Sequence, residues 1–250
     1  SEITTYLRKD KRFSIEAVVD IDFRKALKLC EKLNKKFLPS TIPDAIKQTD
    51  LIIEAAGKEA VKQILTCKEL DREGKHLLVM STGSLAENFS LLEKIKICRI
   101  HIPSGAIAGL DAVYAVQGKI NSLALTTTKP AASPENAPFV LKKKVVLSNI
   151  KSKKKIFEGN LQDAVLGFPQ NINVAASLFL ASKFSGIKIS IVADAKTKFN
   201  THEIDCRWNS GEIHTATKNF PSKNPKTSYL AILSAIAAVK GMAEKISIGN

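Results

Sequence analysis

The sequence predicts an α/β protein with a Rossmann-type, doubly wound parallel sheet, followed by an α+β domain whose sheet is mostly antiparallel. Over residues 1–103, short apolar runs alternate with amphipathic helical stretches, which is typical of parallel strands covered by helices on both faces. Residues 118–218 instead carry several β-rich segments, and the turn signal Asn209–Glu212 joins two of them as a hairpin. The length of 250 residues allows one large domain or two smaller ones.

The first part of the chain consists of repeated strand–helix units. Each predicted strand is a near-continuous apolar run, and each predicted helix has apolar residues at helical spacing. Repeated units of this length favour a doubly wound sheet. The predicted elements are, in order, helix 2–8, strand 15–19, helix 23–35, strand 51–56, helix 58–70, strand 76–80, helix 85–96 and strand 97–102.

The second part of the chain changes character after strand 97–102. We expect a dinucleotide-binding domain at 1–103, which lacks its first strand and is completed by helix 224–250. Residues 104–223 form the expected substrate, catalytic and oligomerisation domain. Its predicted elements, with the closing helix, are a strand-like stretch 118–157 interrupted by a loop at 129–138, helices 159–166 and 171–184, β-rich segments 187–193, 201–208 and 213–218, and helix 224–245.

One component of a dinucleotide fold is missing from the sequence. Such a fold begins with a strand and a G-x-G-x-x-G turn before its first helix. This chain begins at Ser1 within what the pattern indicates is that helix, and its first glycine is Gly57. We expect the native protein to start roughly a dozen residues earlier, because a sheet without its central strand leaves two hydrogen-bonding edges unpaired.

Composition and cysteine usage favour a globular protein of the cytoplasm. The chain is 44% hydrophobic and 25% charged, and no apolar run approaches the roughly 18 to 20 residues that span a bilayer. No secretory signal opens the chain. The widely separated Cys30, Cys67, Cys98 and Cys206 form no C-x-x-C pair, which argues against a zinc site and against a disulfide framework.

The net charge of +14 raises the alternative of a nucleic-acid-binding protein. Most lysines are spread along the chain, and the dense cluster is Lys142–Lys144 with Lys151–Lys155, which the pattern predicts to be a basic hairpin. No aromatic residues interleave with this cluster to stack on bases. A solvated lysine-rich face is therefore favoured, and nucleic acid is not the expected partner.

Small residues follow the predicted parallel strands and indicate a cofactor cleft. In open α/β sheets, ligands bind beyond the carboxyl ends of the strands. Asp20 stands where such folds place the carboxylate that accepts ribose hydroxyls, with a helix N-cap as its alternative role. The candidate cofactor-binding residues are Asp20, Ala55, Ala56, Ser81, Thr82, Gly83, Ser104, Gly105 and Ala106, and for each glycine the alternative is a tight turn.

Polar residues in the second part supply candidates for proton transfer and for amide or carboxylate binding. His202 opens a predicted strand, and a histidine exchanges protons near neutral pH, although a structural role is the alternative. Asn171 and Asn173 open an apolar helix, which they either cap or use to present an amide to a carboxamide. The start of the last helix suits a carboxylate, although capping is the default role there. Its candidate substrate-binding residues are Asn224, Thr227 and Ser228.

Four stretches together resemble the L-aspartate dehydrogenase family. They are IPSGAIAGLDA at 102–112, FPQNINVAA at 168–176, THEI at 201–204 and NPKTSYLA at 224–231. The resemblance covers essentially the whole chain. It implies NAD- or NADP-dependent oxidation of L-aspartate to iminoaspartate, which hydrolyses to oxaloacetate and ammonia, in a homodimer or larger homo-oligomer that can feed NAD biosynthesis.

The resemblance also implies roles for individual residues. His202 is the implied catalytic residue, and Ala106 and Asn173, with Asn171 as the alternate, are implied to contact the nicotinamide. Asp20 favours NAD over NADP, and Arg24 nearby softens that preference. The two substrate carboxylates are expected to meet N–H groups, hydroxyls and a lysine that the sequence does not identify. The alternatives are a related reductase of the homoserine or dihydrodipicolinate type, and a basic nucleic-acid-binding protein.

Overall fold

The computed structural model describes residues 2–33, 38–169, 172–220 and 228–246. The chain divides into two compact units. The first comprises Ser1–Pro103 and Ile232–Ile246, and the second is built around Ser104–Ala231. The sheets agree with the predicted fold class, because one is wholly parallel and the other is mostly antiparallel.

The first unit contains a three-stranded parallel sheet. Strands β1 (Leu51–Glu54), β2 (His76–Val79) and β3 (Arg99–His101) lie in that order, and each follows the previous one through a helical connection. The parallel sheet of the prediction is confirmed. Its helices are α1 (Glu2–Leu7), α2 (Phe23–Lys32), α3 (Ile42–Gln48), α4 (Lys58–Thr66), α5 (Thr82–Glu87) and α6 (Phe89–Leu92).

The strand predicted at 15–19 is wrong. Residues 13–20 have no regular secondary structure, and within 14–20 the backbone hydrogen bond to another segment is the one from Ser40 N–H to the Val18 carbonyl, 2.9 Å. A strand needs a neighbour that supplies a ladder of backbone bonds, and no described strand pairs with this segment. The segment is held instead by side chains, because Val18 packs with Ala26, Cys30 and Leu33 in a small apolar cluster.

The main core of the first unit joins the two ends of the chain. Helix α11 (Tyr229–Met242) runs into this unit, where its buried residues pack against helix α1 and strand β2. The apolar spacing within α1 is i, i+4, which places both of its buried residues on one face. The buried members of this core are Ile3, Leu7, Leu78, Ala235, Ile236 and Val239.

The second unit is a five-stranded mixed sheet in the order β5-β6-β4-β7-β8, with helices packed against one face. The parallel pair is β4 with β6, and the other three pairs are antiparallel, as the sequence predicts. The strands are β4 (Ile120–Pro130), β5 (Lys154–Gly159), β6 (Lys188–Asp194), β7 (Asn200–Trp208) and β8 (Gly211–Asn219). The helices are α7 (Leu110–Ala115), α8 (Pro138–Lys142), α9 (Leu161–Gly167) and α10 (Ile172–Ser182).

Two sequence predictions fail in this unit. The basic hairpin is wrong, since Lys142 ends helix α8 and Lys154 begins strand β5, with a short 3₁₀ turn between them. Pro138 suits the first turn of a helix, and lysine suits the last turn, where it faces the negative end of the helix dipole. The predicted loop also begins too early, because β4 continues through Lys129 to Pro130 by pairing with β6.

The loop that precedes helix α7 lies directly against strand β8. Gly109, the N-cap of α7, has a φ of +83°, and a Cβ added there would lie 2.9 Å from Thr215 Cγ2. Both the left-handed backbone and the close approach therefore require glycine. This contact fixes where the stretch 102–112 meets the sheet.

We expect Gly109→Ala to lower the free energy of unfolding by more than Gly118→Ala, which serves as its control. Gly118 has a similar φ of +76° with nothing within 4 Å of an added Cβ, so it reports the backbone strain alone. The difference in urea unfolding should be about 1 kcal/mol or more, the cost of overpacking. Adding Thr215→Ser to Gly109→Ala removes Cγ2 and keeps the hydroxyl, so the double variant should recover most of this difference in unfolding free energy. Equal destabilisation by the two alanines would contradict the contact.

Candidate active site

His202 lies buried on the helix-covered face of the five-stranded sheet. It is the third residue of β7 and stands directly opposite Thr127 on β4 and Thr217 on β8. The His202 Nδ1 and Thr127 Oγ1 atoms are 3.0 Å apart, which is hydrogen-bond distance. The hydrogen bond orients the imidazole and assigns Nδ1 to Thr127, so that Nε2 is the ring nitrogen left for proton transfer.

Burial keeps His202 neutral. Removal from water lowers the pKa of its imidazole from 6.5 to about 3, and the charge of Lys129 adds to that effect. A neutral imidazole has one N–H donor and one lone pair. In the tautomer whose Nδ1–H donates to Thr127 Oγ1, the lone pair is on Nε2, and this tautomer can accept a proton.

Lys129 lies two residues beyond Thr127 on β4 and therefore on the same face of the sheet. It is 7% exposed, and it is the one lysine or arginine that counts as buried among the described residues. Burial lowers the pKa of its ammonium group to about 8. At neutral pH the side chain is therefore still mostly a cation, beside a neutral histidine.

The predicted nicotinamide loop is fixed to the strand next to His202. The buried carbonyl of Ala106 accepts hydrogen bonds from Thr217 Oγ1, at 2.7 Å, and from Asn219 Nδ2, at 2.9 Å. Thr217 Oγ1 also lies 3.5 Å from the His202 carbonyl, so one side chain contacts both predicted site segments. Asn219 and Thr217 occupy alternate positions of β8 and thus face the same side.

Ser228 extends this network. Its hydroxyl donates to Asn219 Oδ1 at 2.8 Å, and the Asn219 amide in turn holds Ala106. The donor that the sequence assigned to a substrate carboxylate is thus used to orient a neighbouring amide. Asn224 and Thr227, which the sequence assigned to the same task, lie outside the described residues.

The remaining candidates of the second unit occupy turns or a helix end. Ser104 and Gly105 are partly exposed, and Gly105 has a φ of +67° in the turn that leads to Ala106. Asn173 is exposed in the first turn of α10, whereas Asn171 lies outside the described residues. The pattern of small residues around Ala106 therefore corresponds to a tight turn seated on β8.

In the first unit, Glu54 connects the loops that follow β1 and β2. It ends β1 and is 3% exposed. Its Oε1 accepts hydrogen bonds from the Ala56 and Gly57 N–H groups, both at 2.8 Å, and from Ser81 Oγ at 2.9 Å. Its Oε2 accepts one from the Ser81 N–H at 3.0 Å. One buried carboxylate thus sets the relative position of two predicted cofactor loops.

The other cofactor candidates of this unit differ in exposure. Ala55 and Ala56 are exposed, and Ser81 is partly exposed, whereas Thr82 and Gly83 are buried in the first turn of α5. Asp20 is exposed, and its Oδ1 accepts a hydrogen bond from the Asp22 N–H at 2.9 Å. The cap of helix α2 is Asp22 rather than Asp20.

The chemistry of these groups fits the adenosine end of NAD or NADP. Asp20 presents an exposed carboxylate that retains acceptor sites for ribose hydroxyls. Ala55 and Ala56 give a surface without bulky side chains, and Gly57, with a φ of +125°, has open space where a Cβ would stand. The N–H groups of Ala56 and Gly57 are used by Glu54, so the cofactor would be held here by side chains and shape.

The described residues contain no group of three or more metal-ligating side chains, and their four cysteines are free thiols. Within the same part of the chain, no helix has both the length and the apolar character that a membrane span requires.

The sequence did not single out Thr127, Lys129, Thr217, Asn219 or Glu54. Each is an ordinary residue for a strand or strand end, and its role follows from pairing between distant segments. Alternation along Leu125-Thr126-Thr127-Thr128-Lys129 would have placed Thr127 and Lys129 on one face, but not opposite His202. The register of β4 with β7 supplies that information.

Comparison with known structures supports the fold. The crystal structure of aspartate dehydrogenase from Thermotoga maritima superposes with a TM-score of 0.72 at 24% sequence identity, and the match covers 100% of this chain and 96% of that chain. Two family models match the sequence. The aspartate dehydrogenase C-terminal family covers residues 111–242, and the NAD-binding domain of homoserine dehydrogenase covers residues 1–98.

Similar proteins of known name match along nearly the whole chain. The L-aspartate dehydrogenase of Methanocella arvoryzae is 37% identical over 94% of this chain and 90% of its own length. That of Methanocaldococcus jannaschii is 37% identical over 96% and 91%, and that of Methanococcus maripaludis is 38% identical over 100% and 95%. With these matches and the C-terminal family model together, the chain belongs to the L-aspartate dehydrogenase family.

Proposed function

We propose that this protein oxidises L-aspartate to iminoaspartate with NAD or NADP, and that water then converts the product to oxaloacetate and ammonia. The observation that carries the proposal is the buried, neutral His202, oriented by Thr127 and adjoining the loop at Ala106. A neutral imidazole on a rigid strand has a lone pair on Nε2 with which it can accept the proton that the substrate amine must lose. Family membership supplies the substrate class.

The reaction divides into a proton transfer and a hydride transfer. The α-ammonium group of aspartate loses a proton to Nε2 of His202, and the nitrogen lone pair then forms the C=N bond as the hydride leaves Cα. A nicotinamide held beside the Ala106 loop would supply the acceptor for that hydride. Water then adds to the resulting iminium carbon, ammonium departs to leave oxaloacetate, and the imidazolium releases its proton to solvent.

The contributions of the protein are orientation and a dry environment. Thr127 fixes the ring, and Thr217 and Asn219 fix the Ala106 loop, so the reacting groups meet surfaces that are already in place. Burial of His202 and Thr127 limits competing contact with water. Asp20, Ala55 and Ala56 would hold the adenosine end of the cofactor.

A homoserine or dihydrodipicolinate reductase is the second candidate function. The specific observation in its favour is the match of residues 1–98 to the NAD-binding domain of homoserine dehydrogenase. That match concerns cofactor binding, whereas the substrate side, residues 111–242, matches the aspartate dehydrogenase C-terminal family. Aspartate is therefore the better supported substrate.

We further propose that the protein works in the cytoplasm as a homodimer or larger homo-oligomer, and that its iminoaspartate feeds NAD biosynthesis. The four free thiols support a reducing compartment. Sedimentation of the purified protein tests the oligomeric state. We expect the lysine cluster at 142–155 to be a solvated face, and we do not expect nucleic acid as a partner.

The proposed function is tested with purified protein and a panel of L-aspartate, L-homoserine and dihydrodipicolinate, with reduced nicotinamide measured by absorbance in the direction each substrate requires. We expect aspartate-dependent formation of NADH or NADPH, and a kcat/KM for aspartate well above that for homoserine. Turnover of homoserine or dihydrodipicolinate without turnover of aspartate would contradict the proposal.

Replacement of His202 by alanine should remove proton transfer and leave cofactor binding intact. We expect kcat to fall by about 10²- to 10⁴-fold, the usual contribution of a positioned acid–base group. The dissociation constant for NADH, measured by fluorescence, should change by less than about twofold, since binding and chemistry are separate steps. His214→Ala, at an exposed histidine of β8, is the control and should retain wild-type kcat. An unchanged kcat in His202→Ala would exclude the role.

The protonation state of His202 predicts how stability depends on pH. Its folded pKa of about 3 lies below the ordinary 6.5, so between these values the unfolded chain binds a proton that the folded chain does not. Stability is therefore lost as pH falls through this window, by about 2 kcal/mol from pH 7 to pH 5. We expect urea unfolding of His202→Asn to lack this loss.

His214 supplies a control of opposite sign for the same measurement. Its hydrogen bond to Asp205 raises the pKa of the His214 imidazole, so the stability it contributes is present at low pH and is lost as pH rises. The His214→Asn protein should therefore still lose unfolding free energy between pH 7 and pH 5, as the wild type does. A His202→Asn protein with the wild-type slope would contradict a neutral buried histidine.

Asp20 should determine the preference for NAD. Its carboxylate would accept hydrogen bonds from the ribose hydroxyls of NAD and would repel the 2′-phosphate of NADP. Asp20→Asn should therefore lower the ratio of kcat/KM with NAD to kcat/KM with NADP by about tenfold or more. Asp44→Asn, at an exposed position of helix α3, should leave the ratio unchanged. An unchanged ratio in Asp20→Asn would place the ribose elsewhere.

A further inference from the structure

A buried lysine adjoins the proposed catalytic histidine. We propose that the Lys129 ammonium group binds one of the two carboxylates of the substrate, and that it thereby selects a dicarboxylic amino acid over one with a single carboxylate. The inference rests on the proposed aspartate dehydrogenase function and adds the residue that reads the second carboxylate.

The register of the sheet places Lys129 in the site. On β4, Thr127 pairs with His202, and Lys129 follows on the same face, about 7 Å further along the strand. Its partner on the other side is Ala193 of β6, a small and fully buried residue. The positive charge of Lys129 also lowers the pKa of the His202 imidazole, as expected for a cation on the same face of the sheet. Lysine and histidine thus belong to one cluster.

Burial of this lysine is costly and calls for a reason. Most of the described lysines are exposed, and taking a lysine out of water costs hydration free energy. The pKa falls to about 8 and no further, so the cation persists at neutral pH. A cation maintained at such a cost inside a proton-transfer site is typical of ligand recognition.

The chemistry of the substrate supplies the matching group. Aspartate differs from alanine by one additional carboxylate, and a site that distinguishes the two must contact that group. In a buried site of low dielectric constant, an ammonium–carboxylate pair is much stronger than it is in water. Lys129 is the one buried lysine or arginine among the described residues, and its ammonium group has the charge that pairs with a carboxylate.

A substrate carboxylate paired with Lys129 would also raise the pKa of the His202 imidazole. The Lys129 charge lowers the pKa of the imidazole, and a carboxylate beside the ammonium group offsets that charge. Binding of the correct substrate would thus make His202 more basic when a proton has to be accepted. An amino acid without the second carboxylate would leave the histidine a weak base.

The test compares Lys129→Met, Lys129→Arg and the control Lys119→Met, at an exposed lysine just before β4. For Lys129→Met we expect the KM for aspartate to rise by about 30-fold or more, the loss for one partner of a buried charge pair. The preference for aspartate over alanine in kcat/KM should fall by a similar factor, and the dissociation constant for NADH should stay within about twofold. Lys119→Met should match the wild type.

Lys129→Arg retains the charge and should keep most of the preference for aspartate. Unchanged KM and preference in a folded Lys129→Met protein would overturn the inference, as would a fall in kcat alone, which would indicate proton transfer by Lys129. These results differ from a failure of the proposed function, in which the wild-type protein would form no reduced nicotinamide from aspartate.

A measurement on the wild type covers the case in which Lys129→Met does not fold. Succinate has two carboxylates whose charge is constant above neutral pH, so loss of its binding at higher pH reports a cation of the protein. Around Lys129, His202 is already neutral, and Ala193, Thr217 and Asn219 do not titrate. The buried acid Asp194 follows Ala193 on β6, and alternation along the strand places it on the opposite face of the sheet. By calorimetry with NADH bound, the succinate dissociation constant should rise about tenfold or more from pH 7 to pH 9.5. No change across this range would overturn the inference.

Discussion

The carbonyl of Ala106 is the contact on which the rest of the candidate site depends. Two side chains of β8, Thr217 and Asn219, donate to this one oxygen, and Ser228 orients Asn219 in turn. These bonds hold the loop before α7 to the strand that pairs with His202. Because all of these groups are buried or partly buried, each lost partner would leave an unsatisfied polar group and displace the loop.

The electrostatic state of the site follows from the same burial. An exposed histidine would titrate near neutral pH, whereas burial keeps the His202 imidazole neutral. Burial also lowers the pKa of Lys129, but only to about 8, so its ammonium group remains mostly charged at neutral pH. The cluster therefore combines a base with a positive charge in a region of low dielectric constant. This combination suits a substrate that must lose a proton from its amine and that carries two carboxylates.

Local sequence patterns predicted the mostly antiparallel sheet, the β7–β8 hairpin and three of the four parallel strands, because these depend on period and turn residues. The strand at 15–19 failed, since strand formation requires a paired neighbour that a single segment does not reveal. Pro138 explains why a helix replaced the basic hairpin. His202 was identifiable from a family resemblance, while Thr127, Lys129 and Asn219 required the register between distant strands.

Nitrogen NMR of the histidine side chains tests the central claim most directly, with the His202 signal assigned by its loss in His202→Asn. We expect a neutral His202 ring down to below about pH 4.5 in the protein with NADH, and an apparent pKa higher by about one unit or more when succinate is added. A His202 that titrates near 6.5 without succinate, or one whose pKa ignores succinate, would contradict a buried base coupled to a dicarboxylate-binding lysine.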